Sequence, residues 1–124
     1  MPLPLRGLRI LLVEDDPLIA LDLAQVVAAA GADVLGPAHT VAKALSLIDS
    51  APIDCAVLDW RLEKETVLAV AERLSSAGLP FLFHTSSRGN PERHYPKATI
   101  LDKPSRPEQL VAAIRLLMES SPEF

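Results

Sequence analysis

Leu8-Arg9-Ile10-Leu11-Leu12-Val13-Glu14-Asp15-Asp16-Pro17 is the stretch that decides the fold. An apolar run rich in strand formers stops at three acids. Pro17 then suits the first turn of a helix, with Asp16 before it as N-cap. Ile19, Leu23, Val26, Val27 and Ala30 follow at helical spacing, and Gly31 ends the helix. A strand thus hands over to a helix through a cluster of carboxylates.

The same alternation continues outward from this unit. Ala32 to Gly36 reads as a shorter strand. Thr40 caps a second helix carrying Val41, Ala44, Leu45 and Ile48, which Pro52 closes. Ile53 to Leu58 is near-continuously apolar apart from Asp54, as expected of a strand buried on both faces of a parallel sheet. A third helix is expected from about Glu65 to Ala77, with Gly78 as its stop, then a strand from Leu79 to Phe83. Thr99 to Leu101 is a short fifth strand, and Arg106 to Glu119 a last helix with Leu110, Ala113, Ile114 and Leu117 on one face. Ser86 to Lys97 contains Gly89, Pro91 and Pro96, so a fourth helix there is short or irregular. The order predicts an α/β fold: a five-stranded parallel sheet flanked by helices, with right-handed crossovers. Ligands of such sheets bind beyond the carboxyl ends of the strands, where strand order reverses.

Composition narrows the function. The 124 residues suit one domain, with 120–124 expected as a tail; Glu123-Phe124 is also what an EcoRI site encodes. The apolar fraction of 49% fits a packed globule. No apolar stretch approaches the ~20 residues of a membrane span, and the start lacks the features of a signal peptide. A cytoplasmic location with no membrane partner is expected. The net charge of −4 argues against a nucleic-acid-binding module. Cys55, the sole cysteine, lies in an apolar run and reads as a small buried hydrophobe.

The residues that carry chemistry stand at strand ends: Glu14-Asp15-Asp16 after the first run, Asp59 after the third, Thr85 after the fourth and Lys103-Pro104 after the fifth. Carboxylates held together repel, and a hard divalent cation relieves the repulsion. Glu14 and Asp15 could supply metal ligands beside Asp59. A carboxylate can accept a phosphoryl group, and the transfer needs mainly positioning and charge neutralisation. Lys103 offers a fixed positive charge to the phosphoryl oxygens, Thr85 a hydroxyl donor, and Pro104 a loop that aims Lys103. Taken singly, Asp16 is a cap, Asp59 a turn residue and Lys103 a surface charge; together they form one site on one sheet edge.

At Ile10-Leu11-Leu12-Val13-Glu14-Asp15-Asp16, Asp54-Cys55-Ala56-Val57-Leu58-Asp59, Phe81-Leu82-Phe83-His84-Thr85 and Leu101-Asp102-Lys103-Pro104 the chain resembles the receiver domain of two-component response regulators, over nearly its whole length. The resemblance implies that Asp59 accepts phosphate from a histidine kinase or histidine phosphotransfer protein. It implies Mg²⁺ (or Mn²⁺) held by Glu14, Asp15, Asp59 and the backbone carbonyl of Arg61, and phosphate-sensing roles for Thr85 and Lys103. It also implies that Leu18, Ile19 and Asp22 meet the phosphodonor, and that the signal passes on through a downstream protein. The domain is then a signalling module, acting only on its own aspartyl phosphate.

Three departures stand out. Trp60-Arg61-Leu62-Glu63-Lys64-Glu65 replaces the Pro and Gly residues usual after the acceptor strand. Ile100 stands where receivers carry an inward-swinging aromatic residue, which leaves Ser86–Lys97 to carry the conformational change. Phe83-His84-Thr85-Ser86-Ser87-Arg88 keeps the Phe and Thr of the single-domain receivers named for a Phe-Ala-Thr-Gly-hydrophobic-Tyr stretch. Arg61 and Ser87 stand where side chains can flank a phosphoryl group and tune its lifetime. The alternatives are a haloacid-dehalogenase-type phosphatase, which needs an Asp where Arg61 stands, and a receiver-like interaction module that is never phosphorylated.

Overall fold

The computed structural model describes residues 3–86 and 88–120. Ser87, with its expected flanking role, and the expected tail from Ser121 lie outside the described residues. Strands and helices alternate as β1 (Arg9–Val13), α1 (Pro17–Ala29), β2 (Asp33–Ala38), α2 (Val41–Ser50) and β3 (Cys55–Leu58). They continue as α3 (Leu68–Ser76), β4 (Phe81–Thr85), α4 (Gly89–His94), β5 (Ile100–Asp102) and α5 (Pro107–Glu119). The sheet is parallel, in the order β2-β1-β3-β4-β5. Strand order reverses at β1, between β2 and β3, which opens the crevice where ligands of such sheets sit.

The alternation of each strand feeds two cores. Leu11, Val13, Ala56, Leu58, Phe81 and Phe83 face the side covered by α2 and α3, where Ala44, Val70 and Leu74 pack on them. Ile10, Leu12, Cys55, Val57 and Leu82 face α1 and α5, against Leu23, Val27, Leu110 and Ile114. β3 is buried throughout, as its unbroken apolar run requires. Burying each Leu or Val side chain is worth about 1.5–3 kcal/mol, so the middle of the sheet is its rigid part and the strand ends carry the polar groups.

Local chemistry sets the element ends, and several differ from the sequence expectation. Asp16 caps α1 through Oδ1, which accepts the amides of Leu18 at 2.9 Å and Ile19 at 3.3 Å; Thr40 caps α2 the same way at Lys43. β2 runs past Gly36 to Ala38 because a bulge at Gly36-Pro37 shifts its register on β1. Gly36 has φ +93°, and a Cβ there would stand 2.6 Å from the Ala38 amide nitrogen, so no other residue fits. α3 starts at Leu68, not Glu65. Leu62 and Val67 are buried and pin residues 61–67 as a compact turn, in which the Glu65 carboxylate accepts the Val41 amide at 3.1 Å. β4 reaches Thr85 and β5 spans Ile100–Asp102, each further along the chain than expected, because pairing of Thr85 with Asp102 extends both. Arg106 precedes α5 as its N-cap. α4 has six residues, in keeping with its prolines.

β3 starts at Cys55 because Asp54 turns to Arg9. Its carboxylate accepts the Arg9 amide at 2.8 Å and the guanidinium at 3.2 and 3.3 Å, and the Asp54 amide returns a bond to the Arg9 carbonyl at 2.8 Å. The Arg9 guanidinium and amide hold the Asp54 carboxyl below its ordinary value of 3.8. A lowered carboxylate pKa stabilises the fold above the unfolded value, and that stabilisation is lost as pH falls through the folded value. Asp54→Asn is therefore expected to lower the melting temperature by a few degrees at neutral pH, with the gap from wild type closing below pH 3.8; calorimetry against pH checks this.

Candidate functional site

The first acids are set by the strand they end. The Glu14 amide donates to the Ala38 carbonyl at 3.0 Å and the Asp59 amide to the Val13 carbonyl at 2.9 Å. These bonds place the two carboxylates side by side across the crevice. Glu14 is 1% exposed and Asp59 7%, while Asp15 is half-buried. Ligand oxygens of Glu14, Asp15 and Asp59 all lie within 4.8 Å of one another. Asp16 stays outside the cluster as a cap, and its amide donates to Glu14 Oε2 at 3.1 Å.

Lys103 enters from β5. Its Nζ donates to Asp59 Oδ2 at 2.7 Å and lies 2.5 Å from Glu14 Oε1. The latter contact is a buried ion pair. Burial pushes the Glu14 carboxyl up and Asp59 adds repulsion; Lys103 and the Asp16 amide offset only part of this, leaving it at about 7. Burial opposes the Lys103 charge, but hydrogen bonding and attraction to Asp59 and Glu14 outweigh it and raise the ammonium above its ordinary value. Three carboxylates with oxygens within 4.8 Å of one another form an all-oxygen set that fits a hard divalent cation.

The other expected residues fall around this centre. Thr85 is fully buried at the end of β4, and its carbonyl accepts the Lys103 amide at 3.2 Å. Arg61 lies at the rim: its amide donates to Asp59 Oδ1 at 3.4 Å and its side chain is exposed. The bonds that close the 61–67 turn run from Leu62 to Glu65 and from Val67 to Trp60, and neither engages the Arg61 carbonyl. The Lys103–Pro104 bond is cis. Leu18 is 78% exposed. With half-buried Ile19 and exposed Asp22 it lines a cleft of about 390 Å³ that also takes in His84, Lys103, Pro107 and Leu110.

Three residues carry more than their sequence context announced. His39 Nδ1 lies 2.9 Å from the Glu14 carbonyl and steadies the acid's backbone. Trp60, the neighbour of Asp59, is buried and stacks on His94 of α4 at 5.2 Å while meeting Phe83 edge-on. Arg88 binds both Asp102 oxygens, Glu92 and the Ile100 carbonyl, so the basic 86–97 segment is clamped to β5 and partly neutralised. A sequence signal existed only for Arg88 with Glu92, four residues apart. Cys55 is inert: burial, aided by Asp54, pushes its thiol up to about 12.

Acids and a lysine gathered at the switch point of a parallel sheet define an α/β domain with an acidic pocket. The sequence model of the response regulator receiver domain matches residues 10–115, and the chain belongs to that family. Among solved structures, SdrG from Sphingomonas melonis Fr1 is 32% identical, with a TM-score of 0.80 over 93% of this chain and 98% of its own. The response regulator PhyR from Brucella abortus is 28% identical, with a TM-score of 0.81 over 95% of this chain; the chain spans about half, 51%, of PhyR. The non-phosphorylated HemR receiver domain from Leptospira biflexa is 25% identical, at 0.79 over 95% of this chain and 100% of its own. Curated protein sequences contain no match. Among the described residues no helix is long and apolar enough to cross a membrane.

A carboxyl raised from 4.5 to about 7 binds its proton more tightly in the folded than in the unfolded protein. Without metal, stability therefore falls as pH rises between those values. Glu14→Gln is expected to abolish that fall, which is on the order of 2 kcal/mol, as read by urea unfolding at pH 5 and pH 7.5 in chelator.

Proposed function

We propose that this receiver takes a phosphoryl group onto Asp59 from a phosphohistidine of a histidine kinase or histidine phosphotransfer protein, and signals through a downstream protein partner in the cytoplasm. The observation that carries the reading is Asp59 itself: a carboxylate at the floor of an acidic cluster, with one oxygen held by Lys103 at 2.7 Å and the other beside the Arg61 amide. Those contacts fix the orientation of the carboxylate. Glu14, Asp15, Asp59 and the Arg61 carbonyl would hold Mg²⁺ (or Mn²⁺), which supplies the positive charge that lets an anionic phosphoryl group approach a carboxylate.

In this reaction an Asp59 oxygen forms a bond to phosphorus as the phosphorus–nitrogen bond to the donor imidazole breaks. The imidazole nitrogen keeps the electron pair and gains a proton. Lys103, already charged and aimed into the pocket, neutralises the equatorial oxygens, and the Thr85 hydroxyl donates to one of them. Water later cleaves the acyl phosphate, returning the carboxylate and inorganic phosphate. Arg61 stands at the rim, where its size and charge govern access of that water, and Ser86, next to Thr85, is small enough to leave room for the phosphoryl group.

The phosphodonor docks on α1. Leu18 projects into solvent beside a cleft whose wall includes Lys103, so an apolar partner helix seated there brings its phosphohistidine to the pocket.

Incubation with acetyl phosphate and Mg²⁺, followed by intact-mass measurement, should add one phosphoryl group to wild type and none to Asp59→Ala. An unmodified wild type, or equal gain by the variant, refutes the reading. Leu18→Asp is expected to slow transfer from a phosphorylated donor protein at least tenfold, as for a central interface anchor, with transfer from acetyl phosphate unchanged. Equal loss with both donors would reject the docking face.

A further inference from the structure

We propose that His84 and Ser105 form a positioning pair for Lys103: their hydrogen bond fixes the loop that aims the ammonium at Asp59. This rests on the reading of Asp59 as the phosphoacceptor.

Along β4, Phe81 and Phe83 enter the core under α2 and α3, while Leu82 and His84 turn to the α1 and α5 side. His84 is 4% exposed in a wall otherwise built from residues such as Leu23, Val26 and Leu110. Its Nδ1 is buried without a hydrogen-bond partner among the described residues. A leucine would fill that wall without the cost of an unpaired polar atom. What the imidazole adds is on its other nitrogen: Nε2 shares a hydrogen bond with Ser105 Oγ at 3.0 Å.

Ser105 lies two residues past Lys103. On the near side, the Lys103 amide is held by the Thr85 carbonyl at 3.2 Å. Thr85 and His84 are consecutive on β4, so the last turn of one rigid strand grips the Lys103-Pro104-Ser105 loop at two points. The lysine stem is long and flexible, and its head reaches Asp59 Oδ2 at 2.7 Å only from a backbone held in place. In a reaction governed by positioning, a displacement of about 1 Å at such a group can cost up to a hundredfold in rate.

The test measures the rate of Asp59 phosphorylation by acetyl phosphate at saturating Mg²⁺, in four proteins: wild type, Ser105→Ala, Lys103→Ala and the double variant. Ser105→Ala is expected to slow wild type about tenfold and to make no difference once Lys103 is gone. Ser105→Thr, which keeps the hydroxyl, should restore the wild-type rate. His84→Phe, which keeps the bulk without the nitrogen, should match Ser105→Ala and add nothing to it. A Ser105→Ala rate within twofold of wild type, or equal slowing with and without Lys103, overturns the proposal. If wild type itself gains no phosphoryl group, the underlying reading has failed instead.

Discussion

The pocket depends on one electrostatic constraint: three carboxylates crowd within 4.8 Å, with the Lys103 ammonium placed against two of them. The two buried carboxylates of the cluster, Glu14 and Asp59, are tolerated because each has a partner. Asp59 has Lys103 and the Arg61 amide; Glu14 has Lys103 and the Asp16 amide. The balance is incomplete: burial, with the repulsion of Asp59 added, raises the Glu14 carboxyl to about 7. A hard cation placed among these oxygens would relieve that crowding.

The sheet supplies that constraint at low conformational cost. β1 and β3 are central, buried and paired over four residues, so Glu14 and Asp59 inherit their separation from backbone hydrogen bonds. Lys103 comes from the edge strand β5, where no neighbour beyond it enforces the position. The edge is stiffened by side chains. Arg88 clamps the Ile100 carbonyl and Asp102, the Thr85 carbonyl holds the Lys103 amide, and Ser105 meets His84.

The fold was legible because its signals are local. The alternation of apolar runs with capped, helix-spaced segments gives the strand–helix order, and Asp16, Thr40 and Pro107 mark helix starts by chemistry that needs no tertiary context. The convergence of Glu14, Asp15, Asp59 and Lys103 followed from strand ends sharing one edge. Element boundaries were less legible where a distant partner decides them. Nothing near Asp54 shows that its carboxylate will turn to Arg9, and nothing near Glu65 shows that it will serve α2 instead of starting α3. The β2 bulge escaped because Gly36-Pro37 reads as a stop when its neighbouring strand is unseen. The partners of His39, His84 and Trp60 escaped for the same reason: each contact is made across the fold.

The departures from the usual receiver pattern are coherent once placed in space. A response to phosphate requires contacts that differ between two conformers, and Ile100 has no ring to move. The aromatic groups lie elsewhere: Trp60 follows the acceptor directly and stacks on His94 of α4, while Tyr95 packs on Phe81 and Phe83. An indole ring thus joins the strand end that carries Asp59 to α4. Arg88 anchors the start of α4 to Asp102 and the Ile100 carbonyl. The segment from Arg88 to Tyr95 is thus held at one end by exposed ion pairs, weak and salt-sensitive, and at the other by buried rings. Of the two, the ion pairs are the ones that salt weakens, while the buried ring contacts are not screened.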